Sequence, residues 1–156
     1  MRFLLAALVL YTIAWVAVVA SAVILGGRWE RRAATGFLMG AVATQLAVRP
    51  GHTWARPEFG VAAVDMALLI YLLWVARGSA RWWPIWAAAA QGAAVLSHLS
   101  AALVPAYPRE LYLTLQPFWA FPLLATIAIG VRAQMRSGSL ESWRRSPKQP
   151  DPARSD

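Results

Sequence analysis

Five long apolar runs, none interrupted by more than one charged residue, divide the first 131 residues of this chain. A helix that crosses the hydrocarbon core of a bilayer needs roughly 17 to 25 such residues. The runs end at arginine, glycine or proline, which are typical helix boundaries, and they cover residues 3–25, 33–48, 59–76, 82–104 and 111–131. The sequence therefore predicts an all-α polytopic membrane protein, with five transmembrane helices in one antiparallel bundle.

The composition supports the same fold class. Of the 156 residues, 59% are hydrophobic and only 14% are charged, which leaves too little polar surface to cover a water-soluble globule of this size. After residue 131 the sequence becomes basic and, at its end, rich in proline. We expect residues 132–156 to form a largely disordered cytoplasmic tail outside the bundle formed by residues 1–131, either solvated or resting on anionic lipid headgroups.

The distribution of basic residues predicts the orientation. Eleven of the fifteen lysine and arginine residues fall on the side that holds the first break, the third break and the tail. Because basic residues near span ends are retained in the cytoplasm, the N-terminus should face outward and the C-terminus inward. The Ala20–Ser21–Ala22 sequence resembles a signal-peptide cleavage site, but cleavage there would reverse this charge asymmetry, so we favour an uncleaved first span.

The same count accounts for most of the net charge of +8, so nucleic acid is not an expected partner. The strong preference for arginine over lysine, together with the high alanine content, favours a bacterial origin and hence the inner (plasma) membrane. The expected partners are the lipid bilayer and either another membrane protein or a second copy of the chain.

Small residues recur at helical spacing in two of the predicted spans. Gly36, Gly40 and Thr44 form one such ridge in the second span, and Gly92 belongs to another in the fourth. Ridges of this kind let two helix backbones approach closely in lipid. We expect both spans to use these faces for close packing, within one chain or between two copies.

Polar side chains inside the spans are candidate site residues, because they are costly in hydrocarbon. The third span runs inward from the outer boundary and the fourth runs back toward it. Asp65 in the third span and His98 in the fourth each lie six residues from that boundary, which places both about 9 Å deep. Gln91 lies two helical turns from His98 on the same helix face. The other candidates for an outer-half polar pocket are Gln45, Gln116 and Tyr11.

Two interpretations of these polar residues at the depth of Asp65 and His98 remain open. Asp65 and His98 can line a pocket that binds a small ligand or passes a proton, since histidine is the side chain that ordinarily titrates near neutral pH. They can instead hold two helices together by a hydrogen bond, which we favour slightly because the spans contain few ionisable groups. His98 and His52, both on the outer side, are the minimum for a haem or copper site, but no cofactor or metal is favoured.

The sequence carries no catalytic motif of the hydrolytic or nucleotide-dependent classes and no pair of acidic residues within the spans. The one lysine, Lys148, lies in the tail, so a Schiff base in the membrane is excluded. We therefore expect a non-enzymatic protein, an accessory or structural subunit of a membrane complex. The alternative is a binder or carrier of a small ligand, proton or cofactor at the Asp65 and His98 level.

Overall fold

The computed structural model describes residues 2–48, 59–104, 108, 111–112 and 118–145, and within these ranges the side chains between residues 9 and 137. No strand occurs in these ranges, so the predicted all-α helical bundle is confirmed. Five long helices are present in them: α1 Arg2–Ile24, α2 Arg28–Ala47, α3 Phe59–Gly78, α4 Trp83–Leu103 and α5 Ala120–Arg145.

Helix α2 begins earlier than the sequence predicts, at Arg28 instead of residue 33. Its N-cap is Gly27, which has an extended backbone with φ −77° and ψ −172°. Apolar residues mark where a helix is buried in lipid, whereas charged residues are equally compatible with its first turn. Arg28, Arg31 and Arg32 therefore belong to the helix and not to the loop in which the sequence places them.

Helix α5 also differs from its predicted bounds of 111–131, since it begins at Ala120 and continues to Arg145. Pro122 lies in its first turn, where the missing N–H group removes no helical hydrogen bond. Residues 132–145, predicted as part of a largely disordered tail, are thus helical, and residues 146–156 lie outside the described residues. The polar composition of this segment did not prevent it from continuing the helix that precedes it.

The helices form a ring in which each one packs against its neighbours in the sequence and α1 packs against α5, and α2 also contacts α5 across the ring. A Cβ atom on Gly36 of α2 would collide with the Tyr71 ring of α3, and one on Gly40 would lie 3.1 Å from Leu68. Gly36 and Gly40, two of the small residues singled out in the sequence, therefore lie against α3. Because residue numbers rise along α2 as they fall along α3, these two helices are antiparallel.

Helix α5 approaches α4 closely at Gly130, where an added Cβ would lie 2.7 Å from the indole of Trp83. Trp83 is almost fully buried, and small or aliphatic residues such as Ala33, Ala87 and Ile127 form much of the core around it. Large apolar side chains are exposed on all five helices, for example Leu10, Met39, Ile70, Trp86 and Phe121.

Among the described residues, α3 is the one helix long and apolar enough to cross a membrane by length and composition. Its apolar window has a mean hydropathy of 2.1 and is only 22% buried, and residues Val9–Ile24 of α1 form a shorter apolar helix. The structure thus supports one candidate span directly, while the five-span topology remains a proposal.

Candidate functional site

The structure brings Asp65 of α3 and His98 of α4 into direct contact, with His98 Nε2 2.8 Å from Asp65 Oδ2. Gln91, two turns before His98 on α4, donates through Nε2 to Asp65 Oδ1 at 3.0 Å and to the Asp65 carbonyl at 3.3 Å. These three predicted residues therefore form one hydrogen-bonded cluster. The two α4 side chains reach α3 together because they lie on the same face of their helix.

Tyr112 extends this cluster on the other side of the histidine. Its hydroxyl lies 2.9 Å from His98 Nδ1, and the two rings pack edge to face. A carboxylate can only accept, so Nε2 carries the proton of the bond to Asp65; in the uncharged ring Nδ1 then accepts from the Tyr112 hydroxyl. The result is a continuous chain of hydrogen bonds from Tyr112 through His98 to Asp65.

The other three side chains of this cluster are buried, with exposures of 3% for His98 and Tyr112 and 5% for Gln91, whereas the Asp65 side chain is 18% exposed. Asp65 and Gln91 both line a cavity of about 320 Å³ between the five helices. Four aromatic side chains supply much of its wall, namely Tyr11, Trp15, Phe37 and Trp119. The cavity is therefore a mostly apolar chamber with a carboxylate at one side, a common composition for small-molecule sites.

Several other predicted residues also line this cavity. Tyr11 from α1 and Gln45, Thr44 and Gly40 from the second half of α2 do so. Trp119 donates through its indole N–H to Ser97 Oγ at 2.8 Å, which fixes the orientation of the ring that closes the cavity on the α5 side. Since α2 and α4 end at this level while α3 and α5 begin there, the cavity lies in the half of the bundle that the charge distribution predicts to face outward.

The remaining predicted residues are not part of this cluster. A Cβ atom on Gly92 of α4 would lie 3.9 Å from Leu69 of α3, an ordinary van der Waals distance, so Gly92 does not mark an unusually close approach of the helices. Gln116 and His52 lie outside the described residues. In the part of the chain that the structure describes, no group of three or more histidine, cysteine or acidic side chains could hold a metal ion.

Sequence reasoning missed a second polar cluster, which lies at the opposite end of the bundle around Glu30 of α2. The Glu30 side chain is fully buried, and its Oε1 accepts from Arg81 Nη1 at 2.6 Å and from Trp83 Nε1 at 3.1 Å. Arg81 also donates through Nη2 to Gln134 Oε1 of α5. One buried carboxylate thus joins α2, the α3–α4 turn, α4 and α5.

The second oxygen of this carboxylate, Glu30 Oε2, is buried and has no hydrogen-bond partner. Beside it a cavity of about 380 Å³ is lined by the first turn of α2, by Arg81 and by Gln134. The signal in the sequence was Glu30 itself, the single acidic residue within Arg28–Arg32, a segment whose arginines were interpreted only as determinants of membrane orientation.

Comparisons of this chain with protein-family models, with curated proteins and with solved structures find no match.

Proposed function

We propose that this chain is a multi-pass membrane protein with its helices embedded in an inner (plasma) membrane. The support is an inverted distribution of polarity: Glu30, Gln91 and His98 are buried between helices, while large apolar side chains face outward on every helix. In water the outward apolar surface would be unfavourable by about 25 cal/mol for each Å² exposed. In lipid the same arrangement is favourable, because polar groups are satisfied internally and hydrocarbon covers the outside.

The proposed orientation places the arginine-rich end in the cytoplasm. Exposed arginines at this end include Arg28, Arg32 and Arg77, and the ring of Trp29 lies between Arg28 and Arg32, 4.8 and 4.9 Å from their guanidinium carbons. Stacked arginine and tryptophan side chains suit the headgroup region, where an apolar ring meets phosphate charge.

Labelling of introduced cysteines tests this topology without background, since the natural chain has none. We expect Phe59→Cys, at the exposed start of α3, to react with a membrane-impermeant maleimide in intact cells. Ala80→Cys, exposed in the turn between α3 and α4, should react only after the membrane is permeabilised. Equal labelling of both positions in intact cells, or release of the protein from membranes at alkaline pH, would contradict the proposal.

The function that the site supports best is binding of a small, mostly apolar molecule that carries an amine or hydroxyl group. The observation that carries this proposal is the partial exposure of Asp65 toward a cavity, although Gln91 and His98 already hold the carboxylate in place. A hydrogen bond that served only to join α3 and α4 would require no chamber beside it. The carboxylate retains lone pairs that can accept from a donor inside the cavity.

The walls narrow the class of ligand. A cavity of about 320 Å³ holds a molecule of one ring or a short branched chain, and its aromatic walls suit a flat apolar body. Tyr11, Trp15 and Phe37 also place aromatic rings in this wall, and aromatic rings attract an ammonium group that lies over their faces. A small aromatic or alicyclic amine therefore complements the volume, the aromatic walls and the carboxylate of the site.

Binding of phenethylamine to the purified full chain, followed by tryptophan fluorescence in mild detergent, tests this proposal. We expect phenethylamine to bind about tenfold or more tightly than ethylbenzene, which has the ring but no donor, because a hydrogen bond to a charged group contributes about 1.5–3 kcal/mol. Asp65→Asn should remove most of this preference. Ala41→Phe, which places a ring in the cavity, should abolish binding of both molecules.

Tyr71→Phe is the matched control, since Tyr71 bonds to the Arg32 carbonyl on the outside of the cavity and its loss should leave binding unchanged. A preference for the amine that survives Asp65→Asn would refute the site. If instead neither molecule binds and another membrane protein co-purifies in stoichiometric amount, the chain is an accessory subunit and Asp65 and His98 serve to join its helices.

A further inference from the structure

The cavity beside Glu30 combines groups that attract an anion with a buried acceptor that needs a hydrogen-bond donor. The N–H groups in the first turn of α2 have no acceptor within the helix, and Gly27, which precedes the helix, has no side chain that could cap them. The cavity is lined by this turn and by the side chains of Arg28 and Arg81. Helix N-termini and arginine side chains both attract phosphate.

An independent observation indicates that an anion without a hydrogen-bond donor would leave one group of this site without a partner. Glu30 Oε2 is a buried acceptor without a partner, so it calls for a hydrogen-bond donor. Gly27 and the Gln134 amide border this oxygen closely, because a Cβ on Gly27 would lie 3.0 Å from Glu30 Oε2 and 3.3 Å from the amide. The complementary ligand has a phosphate group with a hydroxyl or ammonium group next to it.

We propose that this cavity binds the headgroup of an anionic phospholipid with hydroxyl donors, of the phosphatidylglycerol class. The phosphate lies against Arg28 and the first turn of α2, and a glycerol hydroxyl donates toward Glu30 Oε2. Arg28 and Arg81 outnumber the one carboxylate of the site, which favours an anionic headgroup over a zwitterionic one. Exposed Trp82, Ile85 and Trp86 at the start of α4 supply apolar surface for the acyl chains.

This assignment rests on the membrane placement proposed above and is independent of the ligand beside Asp65. The two cavities lie at opposite ends of the bundle, and Gln134 lies at the Glu30 end while Trp119 lies at the other. In the proposed orientation the Glu30 cavity opens at the cytoplasmic leaflet, where basic pockets between helices commonly hold anionic headgroups.

Native mass spectrometry of the full chain released from detergent tests the proposal by counting bound lipid. With phosphatidylglycerol added, we expect one lipid to remain on each chain at about tenfold lower lipid concentration than with phosphatidylcholine, which has the phosphate but no donor. Arg28→Gln and Gly27→Ala should each raise the required phosphatidylglycerol concentration about tenfold. The negative φ of Gly27 is compatible with alanine, so the second variant changes the cavity without straining the backbone.

Arg77→Gln is the matched control, because Arg77 is an exposed arginine in the last turn of α3 that does not line the cavity. It should change retention less than twofold. Equal losses for Arg28→Gln and Arg77→Gln would overturn the proposal in favour of diffuse attraction to the arginine-rich end. Equal retention of both lipids, or binding of glycerol phosphate with no lipid retained, would overturn the assignment to a lipid headgroup. Failure of membrane insertion would be detected separately by cysteine labelling.

Discussion

Replacing Arg81 by methionine is expected to lower the free energy of unfolding by about 3 kcal/mol, more than any conservative change at Glu30. The substitution leaves the fully buried Glu30 carboxylate with the Trp83 N–H as its one remaining partner in the described structure. An uncompensated buried charge is costlier than the loss of the bond itself. The value lies at the lower end of the range for buried pairs because the Arg81 side chain is 34% exposed and water screens the interaction.

Glu30→Gln should cost only about 1–2 kcal/mol, because the amide oxygen still accepts from Trp83 and the released Arg81 can be hydrated. The double variant, with both Glu30→Gln and Arg81→Met, should recover part of the stability lost in Arg81→Met alone, since it removes the uncompensated charge. Unfolding in mixed detergent with increasing dodecyl sulfate measures all three variants, and Arg77→Met is a control expected to change stability by less than about 0.5 kcal/mol. A larger loss for Glu30→Gln than for Arg81→Met would show that the carboxylate is not the costly group.

The sequence predicted the helices well because a long apolar run indicates a helix and can be recognised without knowing the rest of the fold. The bounds of α3 and α4 follow from apolar runs that end at Arg77–Gly78 and begin after Arg81. The same criterion placed the start of α2 too late, because it detects the apolar part of a helix and not its polar first turn. For α5 it also missed the continuation to Arg145, because the segment after residue 131 is basic and no longer a continuous apolar run.

The candidate site was predicted in part, for a geometric reason. The rise of 1.5 Å per residue fixes the depth of a side chain along a helix, so the shared level of Asp65 and His98 could be derived from the sequence. Whether the two side chains contact each other, line a pocket or do both could not be decided from the sequence, because that depends on how the five helices are arranged around a ring. Glu30 was missed for the same reason, since Arg81 and Gln134 reach it from distant parts of the chain.

His98→Ala is the second change with a large expected effect, a loss of about 2–3 kcal/mol in the free energy of unfolding. The side chain is 3% exposed and bonds to both Asp65 and Tyr112, so alanine leaves a cavity and removes two hydrogen bonds. Ser100→Ala, an exposed change on the same helix, should be neutral within about 0.5 kcal/mol. Asp65→Asn should cost only about 1 kcal/mol, because the amide keeps an acceptor for one of the two donors.

A loss of stability alone does not show whether His98 only joins two helices or also supports a binding site. Comparing the stability loss of each variant with its loss of ligand preference does. His98 touches Asp65 without lining the cavity, so it acts as a positioning residue. We expect His98→Ala to weaken the preference for phenethylamine over ethylbenzene only severalfold while destabilising the fold strongly. Asp65→Asn should show the opposite balance, with a small stability loss and most of the preference gone. If His98→Ala leaves that preference at its full value, the histidine joins α3 to α4 and plays no part in presenting the carboxylate to the cavity.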